Sequence, residues 1–194
     1  MRRVKEEIAV IRAIEDSINV KLTALKDQHF LDNAAKSLQI VKNSLDSGHT
    51  IFLAGNGGSA AESQHFAAEF VGRFKKERRG LPALALSTDT SILTAVGNDY
   101  SYDEIFERQV DTFGKKGDVF IGFSTSGNSE NILRAVKKSK EKEMTTICFL
   151  GKDGGKARDI ADISVVIPSD NTARIQEMHM TMTHIIAGWA EQDY

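Results

Sequence analysis

His65 and Glu69 stand four residues apart in GSAAESQHFAAEF. On a helix that spacing sets an imidazole and a carboxylate about 40° apart, on one face. Such a pair can move a proton or ligate a divalent cation. An i,i+4 His–Glu pair by itself is commonly surface decoration. Here Phe66, Ala67, Ala68 and Phe70 surround it and predict a mostly buried helix, and a buried ionisable pair needs a partner or a task. The segment RIQEMHMTMTHIIAGWAEQ supplies candidates in Gln176, His179 and His184. Relative to Gln176, a helix places His184 about 80° to one side and His179 about 60° to the other, so spacing leaves both open. Met178 and Met182 read as core filler.

Two further stretches suit an anion. FSTSGNSEN gathers Ser124, Thr125, Ser126 and Ser129 between an apolar run and a helical segment. Four hydroxyls beside a helix start, with its unpaired N–H groups, favour phosphate binding over plain capping. AGNGGSA matches the looser dinucleotide fingerprint through Gly55, Gly57 and Ala60. That fingerprint requires an acid about 20 residues on, at the end of the next strand. Lys75, Lys76 and Glu77 stand there, ahead of the next strand, and Asp89 is too far along. A nucleotide-dependent oxidoreductase is therefore disfavoured, and no phosphate-loop G-x-x-x-x-G-K-[ST] occurs.

These residues must be positioned by something, and the rhythm of the chain says what. Its 194 residues allow one substantial domain with a helical extension. Apolar residues recur at Ile11, Ile14, Ile18, Leu22 and Leu25, then at Leu31, Ala34, Leu38, Val41 and Leu45. Two amphipathic helices follow, broken near Asp27 to His29, that must bury their stripes on the domain or on another subunit. From residue 50, five short apolar runs (TIFLAG, LPALALS, DVFIGFS, TTICFLG, DISVVIPS) alternate with helix-length segments. That alternation predicts an α/β fold, a three-layer αβα sandwich around a five-stranded parallel sheet. The domain spans 49–194 behind a helical extension, 1–48, available for oligomer packing. Each run ends in small polar residues, and ligands of such sheets bind at the carboxyl ends of the strands.

The charge runs KKERR (75–79) and KKSKEK (137–142) read as solvated ends of helices. Cys148, the single cysteine, lies inside an apolar run and reads as a buried hydrophobe. A net charge of −2 gives no long-range attraction for nucleic acid or an anionic membrane. With no apolar stretch of membrane length and no signal-peptide pattern, a cytoplasmic protein is expected.

GNGGSAAESQHFAAEF, GNDY, STSGNS and TARIQEMHMTMTH, in this order and spacing, resemble the sugar isomerase (SIS) domain family, and within it the phosphoheptose isomerase branch. The resemblance implies the SIS fold, a homotetramer with active sites between subunits, and a metal, typically zinc, held by His65, Glu69, Gln176 and His184. It implies that Glu69 and His184 do the acid–base work, and that His179 is structural or supports the ligands. Sugar phosphate contacts fall on Asn56, Gly57, Gly58, Glu69, Asn98, Asp99, Ser124, Thr125, Ser126, Ser129 and Gln176. The implied activity converts sedoheptulose 7-phosphate into D-glycero-D-manno-heptose 7-phosphate, the first step toward ADP-heptose and the lipopolysaccharide core. The alternative is a non-catalytic SIS regulator that binds a replication-initiator protein or a sugar phosphate. The relative of that kind lacks the counterparts of Glu69 and His184, and this chain has both.

Overall fold

The computed structural model describes residues 2–194. Two helices open the chain, α1 (Arg2–Ala24) and α2 (Gln28–Asp46). Asp27 separates them because its carboxylate accepts hydrogen bonds from the N–H groups of His29 (2.9 Å) and Phe30 (3.1 Å), capping α2. The break falls where the apolar spacing predicts it. The two stripes fare differently. Ala34, Val41 and Leu45 of α2 are buried in the core, whereas Ile11, Ile14, Ile18, Leu22 and Leu25 stay exposed on the single chain.

Five strands follow: β1 (Ile51–Gly55), β2 (Ala83–Ala85), β3 (Val119–Ser124), β4 (Thr145–Leu150) and β5 (Ile163–Val166). All pair in parallel, in the order β2-β1-β3-β4-β5. Each corresponds to one apolar run of the sequence. β2 is the shortest and lies at the edge, where Leu84 remains exposed, as edge strands commonly are clipped and half-covered.

Alternation along the strands divides the core in two. Ile51, Leu53, Val119, Ile121, Phe123, Ile147 and Phe149 point to one face, against α2, α3 (Gly58–Val71) and α8 (Thr172–Ala190). Phe52, Ala54, Phe120, Cys148 and Leu150 point to the other. There they meet α4 (Thr90–Asp99), α5 (Ile105–Phe113), α6 (Glu130–Glu141) and α7 (Gly155–Ile160). The result is an αβα sandwich. No helix among the described residues is long and apolar enough to cross a membrane.

One of the two charge runs departs from its reading. KKSKEK lies in the last turns of α6, as expected. KKERR lies beyond the end of α3, in the connection to β2. Its Lys75, Lys76, Glu77 and Arg79 face solvent, but the Arg78 side chain is only 1% exposed. A run of like residues hides the one whose guanidinium turns inward to meet carbonyl groups.

Candidate active site

β1 and β3 lie side by side, yet the chain leaves them toward opposite faces, through α3 and through α6. Their carboxyl ends therefore splay into a crevice, the place where open α/β sheets take ligands. Asn56 follows β1 there, and Ser124 ends β3.

A reciprocal amide pair spans this crevice. Asn56 Nδ2 donates to Asn131 Oδ1, and Asn131 Nδ2 donates back to Asn56 Oδ1, both at 2.9 Å. The Tyr102 hydroxyl donates to the same Asn56 oxygen at 3.1 Å. Neither Asn131 nor Tyr102 is marked by local sequence, because contacts between residues 75 and 46 positions apart leave no periodic trace.

The hydroxyl-rich loop is also internally bonded. Ser124 Oγ lies 3.1 Å from Ser129 Oγ and accepts from Gly127 N–H at 3.1 Å, while Ser126 Oγ accepts from Asn128 N–H at 3.2 Å. Part of the hydroxyl density is thus turn chemistry, holding the loop open between β3 and α6. Gly127, at φ +65°, presses on the next loop of the sheet edge: a Cβ there would sit 1.8 Å from the carbonyl oxygen of Gly154.

The other half of the site stands on α3 and α8, which pack together on the opposite layer from α6. Gly57, at φ +56°, turns the chain into α3. At Gly58 a Cβ would come within 2.4 Å of Gln176 Nε2, so the missing side chain is what lets the Gln176 amide lie against the glycine loop. Phe66 and Phe70 anchor α3 in the core, each burial stabilising by about 1.5–3 kcal/mol. The helix is less buried than its flanking residues predict. His65 is 47% exposed and Glu69 18% exposed at the side chain, because the face carrying them looks into an open groove rather than into the sheet.

Three side chains converge in that groove. His65 Nε2 lies 2.9 Å from Glu69 Oε1 and 3.1 Å from His184 Nε2, and His184 Nε2 lies 4.0 Å from Glu69 Oε1. Nitrogens and oxygens held about 2.0–2.1 Å from a tetrahedral zinc stand roughly 3.3 Å apart. The observed separations bracket that value, and two imidazoles with a carboxylate are a usual zinc donor set, so the residues suit a metal. The Phe74 ring stacks on His184, with centroids 5.4 Å apart and planes 12° from parallel.

Between the two histidines that spacing left open, His184 is the one beside His65 and Glu69. His179 is fully buried, its ring among Phe123 and Phe149, with Nε2 3.4 Å from the Leu150 carbonyl and Nδ1 3.6 Å from Glu62 Oε2. Asn98 and Asp99 sit at the exposed end of α4, bonded to one another at 2.8 Å rather than to the histidine–glutamate group.

Sheet order, crevice and helix-borne donors together describe a domain class. The SIS domain model matches residues 15–151, and the chain belongs to that family. Its similarities run further, to the phosphoheptose isomerases. The enzyme of Clostridium acetobutylicum is 51% identical over 180 residues, covering 93% of this chain and 92% of the relative. Solved structures of the phosphoheptose isomerases from Francisella tularensis (TM-score 0.92, 34% identity) and Neisseria gonorrhoeae (TM-score 0.88, 40% identity) each cover 97% of this chain. They cover 99% and 98% of their own chains respectively.

Proposed function

We propose that this chain is an aldose–ketose isomerase that converts sedoheptulose 7-phosphate into D-glycero-D-manno-heptose 7-phosphate. One observation carries the reading. Glu69 and His184, on helices far apart in the chain, come within 4.0 Å of one another. The similarity to phosphoheptose isomerases over almost the whole chain points the same way, and it lends nothing to the non-catalytic alternative.

Isomerisation moves one hydrogen between neighbouring carbons through an enediol. Glu69 takes the proton from C1 of the ketose and returns it to C2. It presents Oε1 to the imidazoles, leaving its second oxygen for the carbon-bound proton. His184 gives a proton to O2 and recovers one from O1, so no atom is gained or lost. The phosphate would rest on Ser124, Thr125, Ser126, Ser129 and the adjacent N–H groups of α6. Asn56, Gly57, Gly58 and Gln176 would line the sugar, with Asn98 and Asp99 at the rim. Zinc, held by His65, Glu69, Gln176 and His184, would supply Lewis-acid polarisation of the sugar's carbonyl oxygen.

The exposed α1 stripe supports a homotetramer, with residues 1–48 packing subunits together and 49–194 forming the catalytic domain. An apolar groove of about 450 Å³, lined in part by Leu25, Leu31, Leu38, Met178 and Ile185, continues that surface. α2 belongs to both parts, because it also completes the core. A cytoplasmic place in heptose supply for surface glycans accords with this activity. Incubation with sedoheptulose 7-phosphate should yield aldoheptose phosphate signals by NMR, and an intact, metal-loaded protein that leaves the ketose unchanged would refute the reading. Sedimentation should give four chains per particle.

A further inference from the structure

Behind the open groove lies an ion pair that the isomerase reading does not use. The side chains of Arg78 and Glu191 are 1% and 3% exposed, and Arg78 Nε faces Glu191 Oε2 at 3.4 Å. Burying two charges is expensive, and such a pair is often replaceable by apolar residues without loss of stability. Its presence therefore directs attention to what it holds in place.

Arg78 closes the end of the helix that carries Glu69. Its guanidinium donates to the backbone carbonyls of Glu69 (2.8 Å) and Phe70 (2.9 Å), and reaches that of Gly72 at 3.5 Å. The Glu69 and Phe70 carbonyls belong to the last turn of α3, which has no N–H of its own left for them, although Phe70 also accepts from Leu81 N–H at 2.9 Å. The planar fork meets these two carbonyls with two separate nitrogens held at a fixed spacing, a geometry that the three donors on one lysine nitrogen do not reproduce. The Glu69 backbone is thus fixed from behind its carboxylate.

Glu191 closes the end of the helix that carries His184. It stands directly after α8, and its Oε1 accepts from the N–H groups of Lys75 (2.9 Å) and Lys76 (3.2 Å). Those two bonds fix the residue just before them, Phe74, whose ring lies flat against His184. One buried pair therefore anchors the Glu69 backbone on one side and the plane that supports His184 on the other.

We propose that Arg78 and Glu191, acting through Phe74, are positioning residues that set the Glu69–His184 separation and hence the affinity and geometry of the metal site. This rests on the metal-dependent isomerase reading, and its test uses the metal independently of turnover. In the full-length protein, Arg78→Lys keeps the charge and loses the fork. Glu191→Gln keeps an acceptor for Lys75 and Lys76 and loses the charge, and Phe74→Leu removes the stacked plane from a half-exposed site. Zinc affinity is measured by chelator competition and geometry by the visible absorption of the cobalt-loaded protein.

Arg78→Lys and Glu191→Gln should each weaken zinc binding about 10–100-fold and shift the cobalt bands. Their combination should weaken it by less than the product of the two, because they act through one contact. Phe74→Leu should weaken binding roughly 2–10-fold with little change in melting temperature. If Arg78→Lys does not fold, Glu191→Gln and Phe74→Leu carry the same test. Folded variants with wild-type zinc affinity and cobalt bands overturn the proposal, as does a wild-type chain that takes up neither metal. A wild type that binds zinc but leaves sedoheptulose 7-phosphate unchanged refutes the isomerase reading alone.

Discussion

Around Asn56 and Ser124 amides and hydroxyls bond in pairs, whereas around Glu69 two imidazoles and a carboxylate turn their nitrogen and oxygen atoms toward one another. On the crevice side, Asn56 is held by Asn131 and Tyr102, and Ser124 by Ser129 and Gly127. On the groove side, His65, Glu69 and His184 crowd their donor atoms within 4.8 Å and remain partly open to solvent. The first half has its shape before any ligand arrives. The second is a set of Lewis bases brought together by packing behind them, which is the kind of site that a cation or a substrate completes. Preorganisation thus resides in the crevice, and the proposed reaction assigns the chemistry to the groove.

That contrast is broken or sharpened by substitution on each side. The largest effect belongs to the groove: Glu69→Gln should lower kcat about 10²–10⁴-fold with the KM for sedoheptulose 7-phosphate nearly unchanged. An active Glu69→Gln enzyme would remove Glu69 from the base role. His184→Ala should cost the protein its zinc, with a loss beyond the roughly 100-fold typical of supporting residues. Metal analysis after dialysis checks this, and full occupancy would take His184 out of the ligand set.

On the crevice side, Asn131→Ala leaves Asn56 Nδ2 without its acceptor while Tyr102 still reaches the amide oxygen, at a cost of about 1–3 kcal/mol. The loss should appear as a KM raised roughly 5–100-fold with kcat largely kept, and equal damage to kcat would erase the division of labour. The smallest effect concerns Cys148, whose thiol is pushed up to about 12 by burial. The folded protein should resist iodoacetamide at pH 8, whereas the unfolded chain reacts. Because the folded thiol titrates above the ordinary 9.0, its contribution to stability is complete below pH 9 and fades as pH rises from about 9 toward 12. Unfolding titrations across that window measure it.

The sheet and its loops were legible because apolar runs with turn-prone ends are local signals. β1 through β5 each correspond to one such run, and the break at Asp27 follows from a cap residue between two stripes. The His65–Glu69 pair was legible from helical spacing, but its exposure was not, since Phe66 and Phe70 bury a different face of the same helix. Helical spacing left His179 and His184 open and the family resemblance chose His184; the docking of α8 on α3 gives the physical reason, setting one inward beside Phe123 and the other beside His65. Asn131 could not be read because its partner, the Asn56 side chain, lies 75 positions away, and Arg78 because it donates to backbone carbonyls that any residue type presents.

The meeting of Gly127 and Gly154 bears on how mutational tolerance should be interpreted. Two loops touch there main chain to main chain, so even alanine at position 127 would collide with a neighbouring peptide oxygen. A saturation library should therefore find this spot as unforgiving as the histidines, although it transfers no proton and binds no ion. Intolerance there records crowding, and only a kinetic profile would separate it from reactivity.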